Sequence, residues 1–125
     1  MSNGQEARAA LRTCRRVVVK IGSRLLAESP AARPAMIADQ VVSLLAAGVE
    51  VVIVSSGAIA LGLRALATPQ RPSELAALQA AAAIGQSRLM QQWEHAFAAH
   101  QTLIGQVLLT HADVDDHARV ECRPA

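Results

Sequence analysis

Val49-Glu50-Val51-Val52-Ile53-Val54-Ser55-Ser56-Gly57-Ala58 is the stretch that decides the fold. Residues 49–54 are almost all β-branched, a composition that reads as a strand buried on both faces of a sheet. Ser55-Ser56-Gly57 stops the run, and Ala58 to Leu66 resumes a helical composition. The same order has occurred once already. Val17-Val18-Val19-Lys20-Ile21 is another short apolar run, closed by Gly22 and Ser23. Between the two runs, a helical pattern from Pro34 places Ile37, Val41, Leu44 and Leu45 on one face. Pro34 suits its first turn, and Gly48 suits the left-handed position just past its end. Strand, crossover helix and strand in this order make a right-handed βαβ unit in a parallel sheet the economical reading.

Toward the C-terminus, Thr68-Pro69 and Arg71-Pro72 punctuate the chain, and Ser73 to about His100 reads as one long Ala-rich helix. Its apolar face includes Leu75, Leu78, Ala82, Leu89, Trp93 and Phe97. Ala80 to Ala83 and Gly85 are small, which fits either close approach of a neighbouring backbone or simple enrichment in alanine. Leu103 to Leu109 reads as a third strand, parallel to the first two. Thr110 is placed to cap a turn leading into Asp113, Asp115 and Asp116. Residues 1–15 are polar and Ala-rich without a clear period. They read as a flexible arm with room for a turn of helix.

A chain of 125 residues has the size of one domain, and 52% hydrophobic against 18% charged residues is ample material for a core. A net charge of +2 makes no polyanion-binding field, so a nucleic-acid partner is not expected. Cys14 and Cys122 stand in no metal-ligand or disulfide-framework spacing, which fits a cytoplasmic protein. The basic N-terminus lacks the apolar core of a secretory signal. The most apolar stretch, Val41 to Leu63, is interrupted by Gly48, Glu50, Ser55, Ser56 and Gly57, so no membrane partner is expected either.

Lys20 lies at the end of a buried strand, with Gly22 and Ser23 just beyond Ile21, at the carboxyl end of a parallel sheet where open α/β folds bind ligands. The ammonium and the N–H groups of the turn suit a phosphate or a transferring phosphoryl group. A lysine at a strand end is also the commonplace form of a solvated terminus, and the spacing is not that of a P-loop. Ser55-Ser56-Gly57-Ala58 is a second turn of the same kind, suited to an anion if Gly57 admits a close backbone approach, or to an ordinary helix cap if Ser56 supplies it. Two such turns at one sheet end point together to phosphoryl transfer onto a small anionic acceptor. His111, Asp113, Asp115, Asp116 and His117 match no metal-ligand pattern and read as a solvated acidic helix start, so no metal site is expected. His95 and His100 read as surface positions.

The strings VVVKIGSRLL, VEVVIVSSGAIALG, AAAAIGQSRLMQQWEHAF and IGQVLLTHADVDDHAR, in this order from about Arg16 to Arg119, resemble the glutamate 5-kinases within the amino-acid kinase family. The resemblance implies an α/β fold, a three-layer αβα sandwich with a mainly parallel sheet, of which residues 16–119 would be the N-terminal part. It implies ATP with Mg2+ and L-glutamate as partners, a homo-oligomer in full-length form, and transfer of the γ-phosphoryl group to the glutamate side chain. Lys20 matches the lysine that contacts the ATP phosphates and stabilises the transferring group, with Gly22 and Ser23 in the same loop. Ser56 matches a glutamate-binding residue, and Gly57 and Ala58 belong to that loop. Arg24 departs from the small hydroxyl residue usual there.

Val120 to Ala125 departs from the family's continuation, so 120–125 reads as a non-family tail of a truncated chain. Codons for Val120-Glu121-Cys122-Arg123, read one base later, can spell the Leu-Asn-Ala with which the family continues. A frameshift is therefore the expectation, and DNA across codon 120 that continues into unrelated sequence in every frame would refute it. By the same resemblance, the nucleotide-binding segments and the residues completing the glutamate site lie after residue 125, so the short chain is expected to be inactive. The competing readings are another amino-acid kinase, acting on acetylglutamate or carbamate, and a non-catalytic fragment that keeps only an interaction surface.

Overall fold

The computed structural model describes residues 3–28, 31–68, 70–110 and 112–113. Its elements in chain order are α1 (Asn3–Leu11), β1 (Arg16–Ile21), α2 (Ser23–Glu28), α3 (Ala32–Ala46), β2 (Glu50–Ser55), α4 (Ala58–Ala65) and α5 (Leu75–Ala98). β1 and β2 pair in parallel, with Val17 beside Val51, Val19 beside Ile53 and Lys20 beside Val54. The βαβ unit read from the sequence is present, with α3 as its crossover. Pro34 sits in the first turn of α3, where its missing N–H costs nothing. Gly48 takes φ +79° just past the helix end, in the left-handed region that a side chain would strain.

The core forms on one side of this sheet. Ile21, Leu26, Ala38, Val41, Leu89, Trp93, Ala96 and Phe97 are its buried residues, and Val19, Val51 and Ile53 pack against them. Trp93 and Phe97, one helical turn apart on α5, stack at a ring separation of 6.2 Å. The indole N–H of Trp93 donates to Ser55 Oγ at 3.3 Å, which satisfies its buried polar edge and ties α5 to the end of β2.

Against α5 packs α4, and two glycines make the contact possible. A Cβ on Gly62 would overlap the carbonyl of Ala81, and one on Gly85 would overlap the carbonyl of Ala58. The small residues of α5 therefore serve close backbone approach. Leu89, Trp93 and Phe97 lie buried as their spacing predicts, whereas Leu75 at the helix start is exposed.

Three expectations are corrected. Residues 103–109 form no strand: among the described residues the sheet has two strands, and Leu103, Val107, Leu108 and Leu109 are 97%, 78%, 72% and 65% exposed. A largely apolar run becomes a strand only where a neighbouring edge supplies its hydrogen bonds, and among the described residues this run meets none. Among the described residues the strands are covered on one face only, because α3 and α5 both lie on the side of Val17, Val19 and Ile21. The helix in the arm is longer than the single turn expected: Asn3–Leu11 is a nine-residue helix, with Glu6 in its first turn and Arg8 in its last complementing the helix dipole. Thr110 does cap its turn. Its backbone N–H donates to Asp113 Oδ2 at 2.9 Å, and the Asp113 N–H donates back to Thr110 Oγ1 at 3.3 Å. Pro69, His111, Asp115, Asp116, His117 and the segment 120–125 lie outside the described residues.

Candidate active site

A parallel pair ends both its strands on one side, and here that end gathers the residues singled out in the sequence. Lys20 stands opposite Val54, and Ile21 opposite Ser55. The alternation of the pleat sends Ser55 toward the helices and Lys20 to the open face. Lys20 is exposed, and its ammonium makes no ion pair among the described residues.

One residue on, the second turn folds back onto the first. The Ser56 backbone N–H donates to the Ile21 carbonyl at 3.2 Å, and its hydroxyl donates to the same oxygen at 3.3 Å. Ser56 is thus a clamp between the two strand ends, not the side-chain cap of α4 that one reading of the sequence allows. The residue preceding α4 is Gly57, at φ +120°, a conformation close to glycine's alone. A Cβ at Gly57 would stand 3.4 Å from the Cβ of Ser23, so the two turns touch. Gly22 is exposed with open space about its Cα, and Ser23 opens α2 beside it. Ala58 opens α4 and packs on the core, its carbonyl lying where Gly85 passes.

The result is a rim that includes the Lys20 ammonium, the Ser23 and Ser56 hydroxyls and the backbone of two glycine turns. Such a rim can neutralise and hydrogen-bond an anionic group. Among the described residues no three His, Cys, Asp or Glu side chains gather into a metal-binding set. Sequence reasoning did not single out Gly62; it named Ser55 only as part of the second turn, and Gly85 only as one of several small residues open to two readings. Ser55 positions the site by receiving Trp93, and the two glycines set how close α4 can lie to α5. A buried Trp requires a hydrogen-bond acceptor, but nothing in the linear sequence says that Ser55 supplies it.

The fold and this rim define a class. The amino acid kinase family matches residues 15–123, and the chain belongs to it. Its curated relatives include the glutamate 5-kinase of Myxococcus xanthus, 48% identical over 122 residues that make up 95% of this chain and 32% of the relative. The glutamate 5-kinases of Chromohalobacter salexigens and Hahella chejuensis are each 50% identical, covering 95% and 94% of this chain and 33% and 31% of theirs. The chain thus spans about a third of the length of the curated relatives it matches. No helix among the described residues is long and apolar enough to cross a membrane.

Proposed function

We propose that this chain forms one wall of the active site of an ATP-dependent L-glutamate 5-kinase, a cytoplasmic homo-oligomer that makes glutamyl 5-phosphate, the first step of proline biosynthesis. In that reaction a side-chain carboxylate oxygen of glutamate attacks the γ-phosphorus of ATP. The bond from that phosphorus to the bridging oxygen breaks, and ADP leaves with the electron pair. The observation that carries the proposal is the meeting of the Lys20 and Ser56 turns at one sheet end, in a chain whose relatives are named glutamate 5-kinase.

The residues divide the work by their chemistry. Lys20 offers a mobile point charge to the phosphates, and charge neutralisation during transfer is where phosphoryl-transfer catalysis mainly lies. Gly22 and Ser23 let a phosphate approach the backbone beside it. The second turn, Ser56, Gly57 and Ala58, is the side for glutamate, held against the first by the two hydrogen bonds of Ser56 to the Ile21 carbonyl. ATP would bring Mg2+ on its phosphates. The described residues gather no set of three His, Cys, Asp or Glu side chains for that ion.

A fusion of this chain to the C-terminal two-thirds of the Myxococcus xanthus enzyme provides the test. The fusion is expected to form glutamyl hydroxamate from glutamate, ATP and hydroxylamine, and the 125-residue chain alone to form none. A folded fusion without that activity contradicts the proposal. A second reading, a non-catalytic fragment that pairs with an intact kinase, draws support from the open apolar sheet face. Failure of the chain to co-purify with added intact Myxococcus xanthus enzyme would remove it.

A further inference from the structure

Helix α5 meets the second turn at both ends of that turn. Where the turn begins, the buried Trp93 directs its indole N–H to Ser55 Oγ at 3.3 Å, and Ser55 is the last residue of β2. Where the turn ends, Gly85 lies so close to the Ala58 carbonyl that a Cβ would overlap it, and Ala58 is the first residue of α4. Gly85 and Trp93 stand about two turns apart on α5. The four residues from Ser55 to Ala58 are therefore spanned from beneath by one helix. Between the two supports, Ser56 donates both its N–H and its hydroxyl to the Ile21 carbonyl, and Gly57 takes φ +120°.

An indole has one polar atom, a donor, so once its ring is packed the N–H has a single direction in which to find an acceptor. The Trp93 ring is fixed by Phe97 and the core around it. Its hydrogen bond thus turns the position of a core ring into the position of Ser55, and because consecutive Cα atoms stay about 3.8 Å apart, a shift of Ser55 passes directly to Ser56. Lys20 escapes this control, since it stands on the open face of the sheet, opposite α5. We infer that Trp93 is a positioning residue for the acceptor substrate: acting through Ser55, its N–H sets the placement of the Ser56 turn and with it the affinity for the amino acid, while the phosphoryl side of the site is untouched. The inference rests on the reading of the two turns as the phosphate and glutamate sides of a kinase.

Trp93→Phe keeps an aromatic ring in the core and removes the donor. In the 125-residue chain, amide hydrogen exchange followed by NMR reads the Ser56 N–H directly, and this variant should speed its exchange about three- to tenfold, the factor that corresponds to one neutral hydrogen bond. The Glu50 N–H, bonded to the Arg15 carbonyl at the other end of β2, should keep its rate. Phe97→Leu loosens the same core without touching the Ser55 bond, so it should lower the unfolding midpoint and not single out Ser56. In the fusion with the C-terminal two-thirds of the Myxococcus xanthus enzyme, Trp93→Phe and Ser55→Ala should each raise the KM for glutamate about three- to tenfold, with kcat within about twofold. The double variant should do no more than either single one, because both delete the same bond. Equal acceleration of the Ser56 and Glu50 amides in Trp93→Phe, or an active fusion in which Phe97→Leu raises the KM as much as Trp93→Phe does, would overturn the inference alone. A folded wild-type fusion that forms no glutamyl hydroxamate would overturn the kinase reading, and the role in glutamate affinity with it.

Discussion

The two faces of the β1/β2 sheet carry similar residues and have opposite surroundings. On one face, Val19, Ile21, Val51 and Ile53 lie against Trp93, Phe97 and the buried side of α3. On the other, Val18, Val52 and Val54 are 63%, 47% and 50% exposed, with Lys20 among them. Valine is apolar on either side, so composition does not distinguish the faces. What separates them is whether a helix layer is present to exclude water, and that layer is built by α3 and α5. Stability is therefore expected to reside on the covered face. The open face carries the charge of the proposed kinase site and leaves apolar surface available to other chains.

Truncating the covered face should have the largest effect. Trp93→Ala removes a buried ring and leaves Ser55 without its donor, and a loss of about 3–5 kcal/mol is expected from chemical denaturation. That is a large part of the roughly 5–15 kcal/mol a domain of this size possesses, so the unfolding midpoint should fall well below that of the wild type. A loss below about 1 kcal/mol would mean that α5 is not the covering layer described.

The helix seam comes next. Gly85→Ala must push α4 from α5, because the new methyl meets the Ala58 carbonyl and backbone cannot swing aside as a side chain can. A cost of about 1–3 kcal/mol is expected. Gly105→Ala, with open space around it and no positive φ, is the control and should change stability by no more than about 0.5 kcal/mol. Equal melting temperatures for the two variants would show that the seam is looser than its geometry.

On the open face the same chemistry should barely register in stability. Val18→Thr and Val52→Thr are each expected to shift stability within about 0.5 kcal/mol. Together they should lower the apparent mass in light scattering, because the wild-type surface is expected to self-associate. A monomeric wild type at high concentration would break this half of the comparison. The smallest effect belongs to Arg16, which bonds Glu50 across the strand pair at 2.6 Å with both side chains about two-thirds exposed. Arg16→Ala should cost at most about 1 kcal/mol, and less at high salt.

Much of this was legible in the linear sequence, because β-branched runs and 3.6-residue spacing report directly on local structure. The parallel pairing of 16–21 with 50–55, the α3 crossover and the left-handed Gly48 all follow from that signal. Leu103–Leu109 shows its limit. Its composition favours a strand, yet a strand also requires a neighbouring edge, and composition carries no information about that edge. The site was legible to a similar depth. Lys20 and Ser56 were placed at one sheet end by the βαβ topology, whereas the return bond of Ser56 to Ile21 and the support of Ser55 by Trp93 are long-range contacts without a local signature.

The roles assigned to the two turns at that sheet end are the central claim, and steady-state kinetics on the full-length fusion test them most directly. If Lys20 acts on the transferring phosphoryl group, Lys20→Ala should lower kcat on the order of 10²-fold or more, with a much smaller change in the KM for glutamate. Ser56→Ala should do the reverse, raising the KM for glutamate while leaving kcat within a few fold. A fusion whose kcat is indifferent to Lys20→Ala would contradict the account, whatever the behaviour of Ser56→Ala.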